Sequence, residues 1–105
     1  MWIRSAFWIG TPKAGSEDQF VHAVNEVLLP LLKACPGVKD VLVLWPHDRE
    51  DNPPVVACQI ALFFEEKQHI AQMLASPERS AMRHSVPAIA ALFDGHVSHI
   101  NFEVV

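Results

Sequence analysis

Six histidines and two cysteines carry most of this chain's capacity for proton transfer, metal ligation or nucleophilic attack. Ligation needs side chains that converge, and the spacing argues against it. His96 and His99 lie three apart in a segment that reads as a strand, so their rings point to opposite faces. His22, His47, His69 and His84 have no histidine partner one helical turn away. There is no His-Glu-x-x-His and no Cys-x-x-Cys, so no metal is expected. Cys35 and Cys58 read as buried thiols of a reducing cytoplasm rather than a disulfide framework. No Gly-x-Ser-x-Gly elbow is present, and four glycines are too few for a phosphate cradle. His47 and Asp48 could orient one another, with a solvated loop as the plainer reading. Most of the histidines are expected at the surface.

The remaining polar candidates sit on strands. Trp2 to Gly10 is rich in aromatic and branched residues and reads as the first strand. Val38–Trp45 and Val55–Phe64 read as a second and third, joined by the polar, proline-framed loop 46–54. His96 to Val105 reads as a fourth. Strand periodicity sorts these segments into two faces. Ile3, Ser5, Phe7 and Ile9 oppose Trp2, Arg4, Ala6 and Trp8. Val56, Cys58, Ile60 and Leu62 oppose Ala57, Gln59, Ala61 and Phe63. His96, Ser98, Ile100 and Phe102 oppose Val97, His99, Asn101 and Glu103. The first-named, more apolar sets are expected to face the helices.

The helices follow from capping and stripe. Ser16 is suited to an N-cap, with Gln19 three residues on completing a capping box, and Glu17 and Asp18 complement the helix dipole. Phe20, Val24, Val27, Leu28, Leu31, Leu32 and Cys35 recur at three- and four-residue steps and form one buried stripe. Pro30 inside that stripe removes a backbone donor and predicts a kink near Glu26 or Val27. Pro36-Gly37 ends the helix. Glu65 to Leu74 reads as a short helix. Ser76-Pro77-Glu78 opens another, which Pro87 interrupts and Asp94-Gly95 terminates. The order β-α-β-β-α-β predicts a ferredoxin-like α+β domain over residues 1–105, with an antiparallel sheet of order 4-1-3-2.

Composition bounds the partners. A net charge of −4 with no basic run argues against nucleic acid, and no apolar run is long enough to span a bilayer. A chain of 105 residues, half of them hydrophobic, is expected to hide apolar surface in a partner subunit.

Asp18-Gln19-Phe20, Pro30-Leu31 and Pro36-Gly37-Val38 resemble the EthD family, proteins associated with ethyl tert-butyl ether degradation, within the dimeric α/β-barrel superfamily. The spacings from Phe20 to Pro30 and from Pro30 to Pro36 match. The run from Leu74 to Gly95 is similar too, so the resemblance covers nearly the whole chain. The family's histidine falls two residues before Pro30, where this chain has Leu28.

The resemblance implies a homodimer in which two sheets close into one barrel, and a ligand cavity between sheet and helices. Ser5, Cys58, His96 and Ser98 would be the polar groups near that cavity, and Phe7, Leu28, Met73, Met82 and Phe93 its apolar lining. The alternative for all nine is ordinary core. With Leu28 in place of histidine, His96 is the first candidate for a general base. The other sheet face would place Arg4, Trp8, Gln59, Phe63, His99, Asn101 and Glu103 in the dimer interface, with Arg4 near Glu103. The implied function is cytoplasmic small-molecule catabolism without a cofactor, an oxygenation or isomerisation of an apolar or aromatic compound. A non-catalytic carrier for a degradative oxygenase and a haem-binding protein are the alternatives.

Overall fold

Phe20, Val24, Leu28 and Leu32 stand at four-residue steps, and all four side chains are buried. They hold a helical arm against a four-stranded sheet in this computed structural model, which describes residues Met1–Val105. The arm runs as α1 (Glu17–His22), a π-helical turn (Ala23–Leu28) and α2 (Leu29–Lys33). Pro30 cannot donate to Glu26, and its ring needs room in the turn before it. The wider π turn supplies that room, so the expected kink takes the form of a change in helical winding. The Ser16 side chain makes no capping hydrogen bond; its carbonyl instead accepts from Phe20 N at 2.9 Å. The expected capping box is therefore absent.

The strands are β1 (Trp2–Pro12), β2 (Asp40–Leu44), β3 (Val56–Phe64) and β4 (Phe93–Glu103). They lie in the order β2-β3-β1-β4, all antiparallel, which is the expected ferredoxin-like arrangement. Between β3 and β4 come α3 (Lys67–Leu74), α4 (Pro77–Arg83) and α5 (Val86–Ala90). Ser76 caps α4 as its sequence suggests, Oγ accepting from Arg79 N at 3.1 Å. No helix is long and apolar enough to cross a membrane.

Asp94-Gly95, expected as a turn, belongs to β4. Gly95 pairs with Gly10 across β1 and β4, with φ of +150° and +130°. A Cβ on Gly95 would come within 2.0 Å of the Ile9 carbonyl oxygen. The glycine pair lets the two backbones close up and starts the strand three residues earlier than expected.

An aromatic cluster fixes which sheet face meets the helices. The Trp8 ring stands 5.4 Å from Phe20 and 5.3 Å from Phe93, both edge-on, while Phe20 and Phe93 stack at 5.2 Å. Trp8 is only 2% exposed. Direct antiparallel partners share a face. Trp8 pairs with Cys58 and Val97, Ala6 with Ile60 and His99, and Arg4 with Leu62 and Asn101. The helix-facing rows are thus Trp2-Arg4-Ala6-Trp8 on β1, Cys58-Ile60-Leu62-Phe64 on β3 and Val97-His99-Asn101-Glu103 on β4. For β3 this is the expected face, and for β1 and β4 it is the reverse. Both faces of β1 are apolar, so hydrophobicity alone does not choose between them; the bulk of Trp8 does.

Candidate active site

Between this helix-facing surface and the helices lies a cavity of about 260 Å³. Ala6, small and central in the β1 row, leaves the floor low between Arg4 and Trp8 and so opens the space above it. Ile60 and Leu62 of β3 and Val97 of β4 complete that floor. The walls are Leu28 and Leu32 of the helical arm, Leu74 of α3, Met82 of α4 and Val86 of α5. Leu28 is the last residue of the π turn, a kind of local widening that recurs at functional sites.

Four polar side chains complete the lining: Arg4, Arg79, Arg83 and His99. Arg79 and Arg83 are four apart on α4 and so project from one side of it. Arg4 and His99 are diagonal neighbours across β1 and β4, since Arg4 pairs with Asn101 and Ala6 with His99. No carboxylate lines the cavity. The chain's ion pair lies elsewhere, Lys39 Nζ to Glu65 Oε1 at 3.3 Å. The Arg4 guanidinium donates instead to the neutral Asn101 Oδ1 at 3.2 Å.

The consequence is a concentration of positive charge in a chain whose net charge is −4. Partial burial, followed by the Arg79 charge, lowers the pKa of Arg4. An arginine remains charged all the same. Partial burial, followed by the charges of Arg4, Arg79 and Arg83, lowers the pKa of His99 below the ordinary histidine value. His99 is therefore neutral at pH 7 and able to accept a proton or a hydrogen bond.

Several residues singled out from the sequence lie elsewhere. Leu28 and Met82 do line the cavity. Cys58, Met73 and Phe93 are on the helix side but belong to the closed core around it. Burial pushes the Cys58 thiol up to about 12, so it is no nucleophile at neutral pH. Ser5, Phe7, His96 and Ser98 correct the expectation: their parity puts them on the face away from the helices. There Gln59 Nε2 donates to Ser5 Oγ at 3.0 Å, and Phe7 meets Phe102 edge-on at 6.5 Å. His96 is exposed and does not line the cavity. Arg4, Trp8 and His99, expected in a sheet-to-sheet interface, are cavity residues. Asn101 and Glu103 share their face, and Arg4 pairs with Asn101 rather than Glu103. Gln59 and Phe63 do lie on the open face. His69 departs from the surface reading of the histidines, with Nδ1 buried and without a partner. Arg79 and Arg83 were legible only as two arginines one turn apart in a capped helix, a spacing that places them side by side.

The open sheet face is apolar. Leu42, Leu44, Ile100 and Phe102 are each between 42% and 49% exposed there.

No protein-family profile matches the sequence, and no curated protein does. Solved structures do match in fold. An ethyl tert-butyl ether degradation (EthD) family protein from Bacillus halodurans superposes with a TM-score of 0.80 at 13% identity, covering 100% of both chains. A protein from Jannaschia sp. CCS1, described as dimeric, ferredoxin-like and of unknown function, gives 0.70 at 15% identity over 99% of this chain and 100% of that one. A Nitrosomonas europaea protein described as a candidate antibiotic biosynthesis monooxygenase gives 0.63 at 12% identity, over 100% of this chain and 99% of that one. From end to end, then, this chain has the ferredoxin-like fold of an EthD family protein.

Proposed function

We propose that this protein binds a small, largely apolar or aromatic molecule between its sheet and helices, as a member of a small-molecule catabolic system. The observation that carries this reading is the 260 Å³ cavity, with ten hydrophobic residues among the fourteen that line it. Its volume lies just under the range of about 300–1,000 Å³ for drug-sized ligands, which suits a single substituted ring. The four-ring plane of a haem is a poor match for a space of this size.

The cavity also holds a group that can exchange protons, and this favours a second reading, catalysis at the same place. His99, neutral and beside three guanidinium groups, is suited to take a proton from a bound substrate while the arginines stabilise the negative charge that develops. The Nitrosomonas protein of the same fold is described as a candidate monooxygenase, and a cofactor-independent oxygenation or isomerisation is the reaction class we infer at His99. His99 thus replaces His96 as the candidate base.

A homodimer formed through the open sheet face belongs to the same proposal. Leu42, Leu44, Ile100 and Phe102 form the apolar surface to be covered, and the Jannaschia protein of the same fold is described as dimeric.

The test is a fluorescence screen of small apolar and aromatic compounds, with Trp8 in the cavity wall as reporter. Binders are expected among single-ring compounds. Leu28→Phe, which narrows the cavity without adding an indole, should weaken their binding about tenfold or more. Binding unchanged in Leu28→Phe would place the ligand elsewhere and sink the reading.

A further inference from the structure

Three of the chain's four arginines line one cavity, and no acid neutralises them there. Guanidinium groups repel one another, and here the half-buried Arg4 and Arg79 are held together beside the exposed Arg83 without a counter-charge. Elsewhere in the molecule lysine and glutamate find each other, as Lys39 and Glu65 do. At the cavity the counter-charge is missing, although acidic residues outnumber basic ones twelve to eight. The arrangement is therefore suited to a charge that arrives with a ligand.

The ligand's shape follows from the same surfaces. Leu28, Leu32, Ile60 and Val97 offer an apolar body no polar contact. Arg4, Arg79, Arg83 and His99 offer donors and an acceptor. Arg4 is steadied by Asn101, and Arg79 and Arg83 extend from adjacent turns of α4. A planar guanidinium fork matches the two oxygens of a carboxylate and can bond both at once.

We propose that the physiological ligand is a small aromatic or branched apolar carboxylate, its ring or alkyl body among the leucines and its carboxylate held by Arg79 and Arg83 with Arg4. This deepens the cavity-binding reading above and rests on it. Neutral apolar molecules of the same shape are then weak ligands, and specificity lies in the arginines rather than in the fit of the ring.

The test compares 4-methylbenzoate with 4-methylbenzamide, alike in shape and differing in charge, by calorimetric titration of the full chain near neutral pH. The acid is expected to bind about tenfold more tightly or better, the difference a charge-assisted pair commonly supplies. In the double variant Arg79→Gln, Arg83→Gln that preference should shrink to about threefold or less while amide affinity holds, which also shows that the variant is folded. Arg49→Gln removes an arginine remote from the cavity and should leave the preference intact. Equal affinity of acid and amide for the parent chain would overturn the carboxylate assignment and leave the cavity reading standing. A preference that persists in the double variant would overturn the role of α4. Binding of neither probe would overturn both readings together.

Discussion

Arg4 Nη1 and Asn101 Oδ1 meet at 3.2 Å across the β1–β4 pair, so this arginine is held by an amide and keeps its charge unmatched. A carboxylate at position 101 would have neutralised it. Asn101→Asp is therefore expected to place an internal counter-ion beside Arg4 and to weaken binding of an acidic ligand severalfold, with little change in stability. The hydrogen bond is exposed, and a bond of this kind is worth about 0.5–1.5 kcal/mol at most. Calorimetric titration of the variant with 4-methylbenzoate, beside urea denaturation, checks both parts. Unchanged affinity would show that Arg4 is a bystander.

His99 faces Arg4 from β1 and Arg79 and Arg83 from α4, and burial acts in the same direction as their charges. Its folded-state pKa is below the unfolded value of about 6.5. The unfolded chain therefore binds the proton more readily, and stability rises with pH between the two values. The contribution is complete above about 6.5 and is lost as pH falls toward the lower, folded value. It is modest, because the partly buried His99 keeps much of its surface open to solvent, which screens the charges. The imidazole titration followed by NMR should show a midpoint below that of a free histidine, moving upward in Arg83→Gln. A midpoint at or above the ordinary value would contradict the electrostatic picture of the cavity.

The open sheet face makes its own prediction. Phe102 is 42% exposed and Ile100 49%; Phe102 lies opposite Ile3 and meets the Phe7 ring, and Ile100 lies opposite Ser5. Covering such side chains in a second subunit gains about 25 cal/mol for each Å² of apolar surface removed from water. Phe102→Asp is expected to give a folded monomer where the parent chain is a dimer, as read by light scattering and circular dichroism. A parent chain that is already monomeric at micromolar concentration would remove this face from the account.

Much of the architecture was legible because local signals and the global pattern agree. The Phe20-to-Leu32 stripe, the Ser76-Pro77 start and the proline-framed loop each pointed to the element observed. The cavity was legible only in part. Leu28 and Met82 lie on helical stripes whose inner side is unambiguous. Ser5, Phe7, His96 and Ser98 lie on strands with two apolar faces, where a one-residue choice exchanges every side chain. The register of β3 against β1 would have settled it, because Cys58 and Trp8 must share a side. Arg79 and Arg83 escaped notice because charged residues on a short helix ordinarily face water. It was the row Arg4-Ala6-Trp8, with its small central residue, that opened a space for them to border.

The central claim is that the sheet–helix cavity is where the ligand sits, and intermolecular nuclear Overhauser effects test it most directly. With 4-methylbenzoate bound to methyl-labelled protein, contacts are expected from the ring protons to the methyl groups of Leu28, Leu32 and Val97. Contacts to Ile100 and Leu44 on the open sheet face, with none to Leu28, would contradict it.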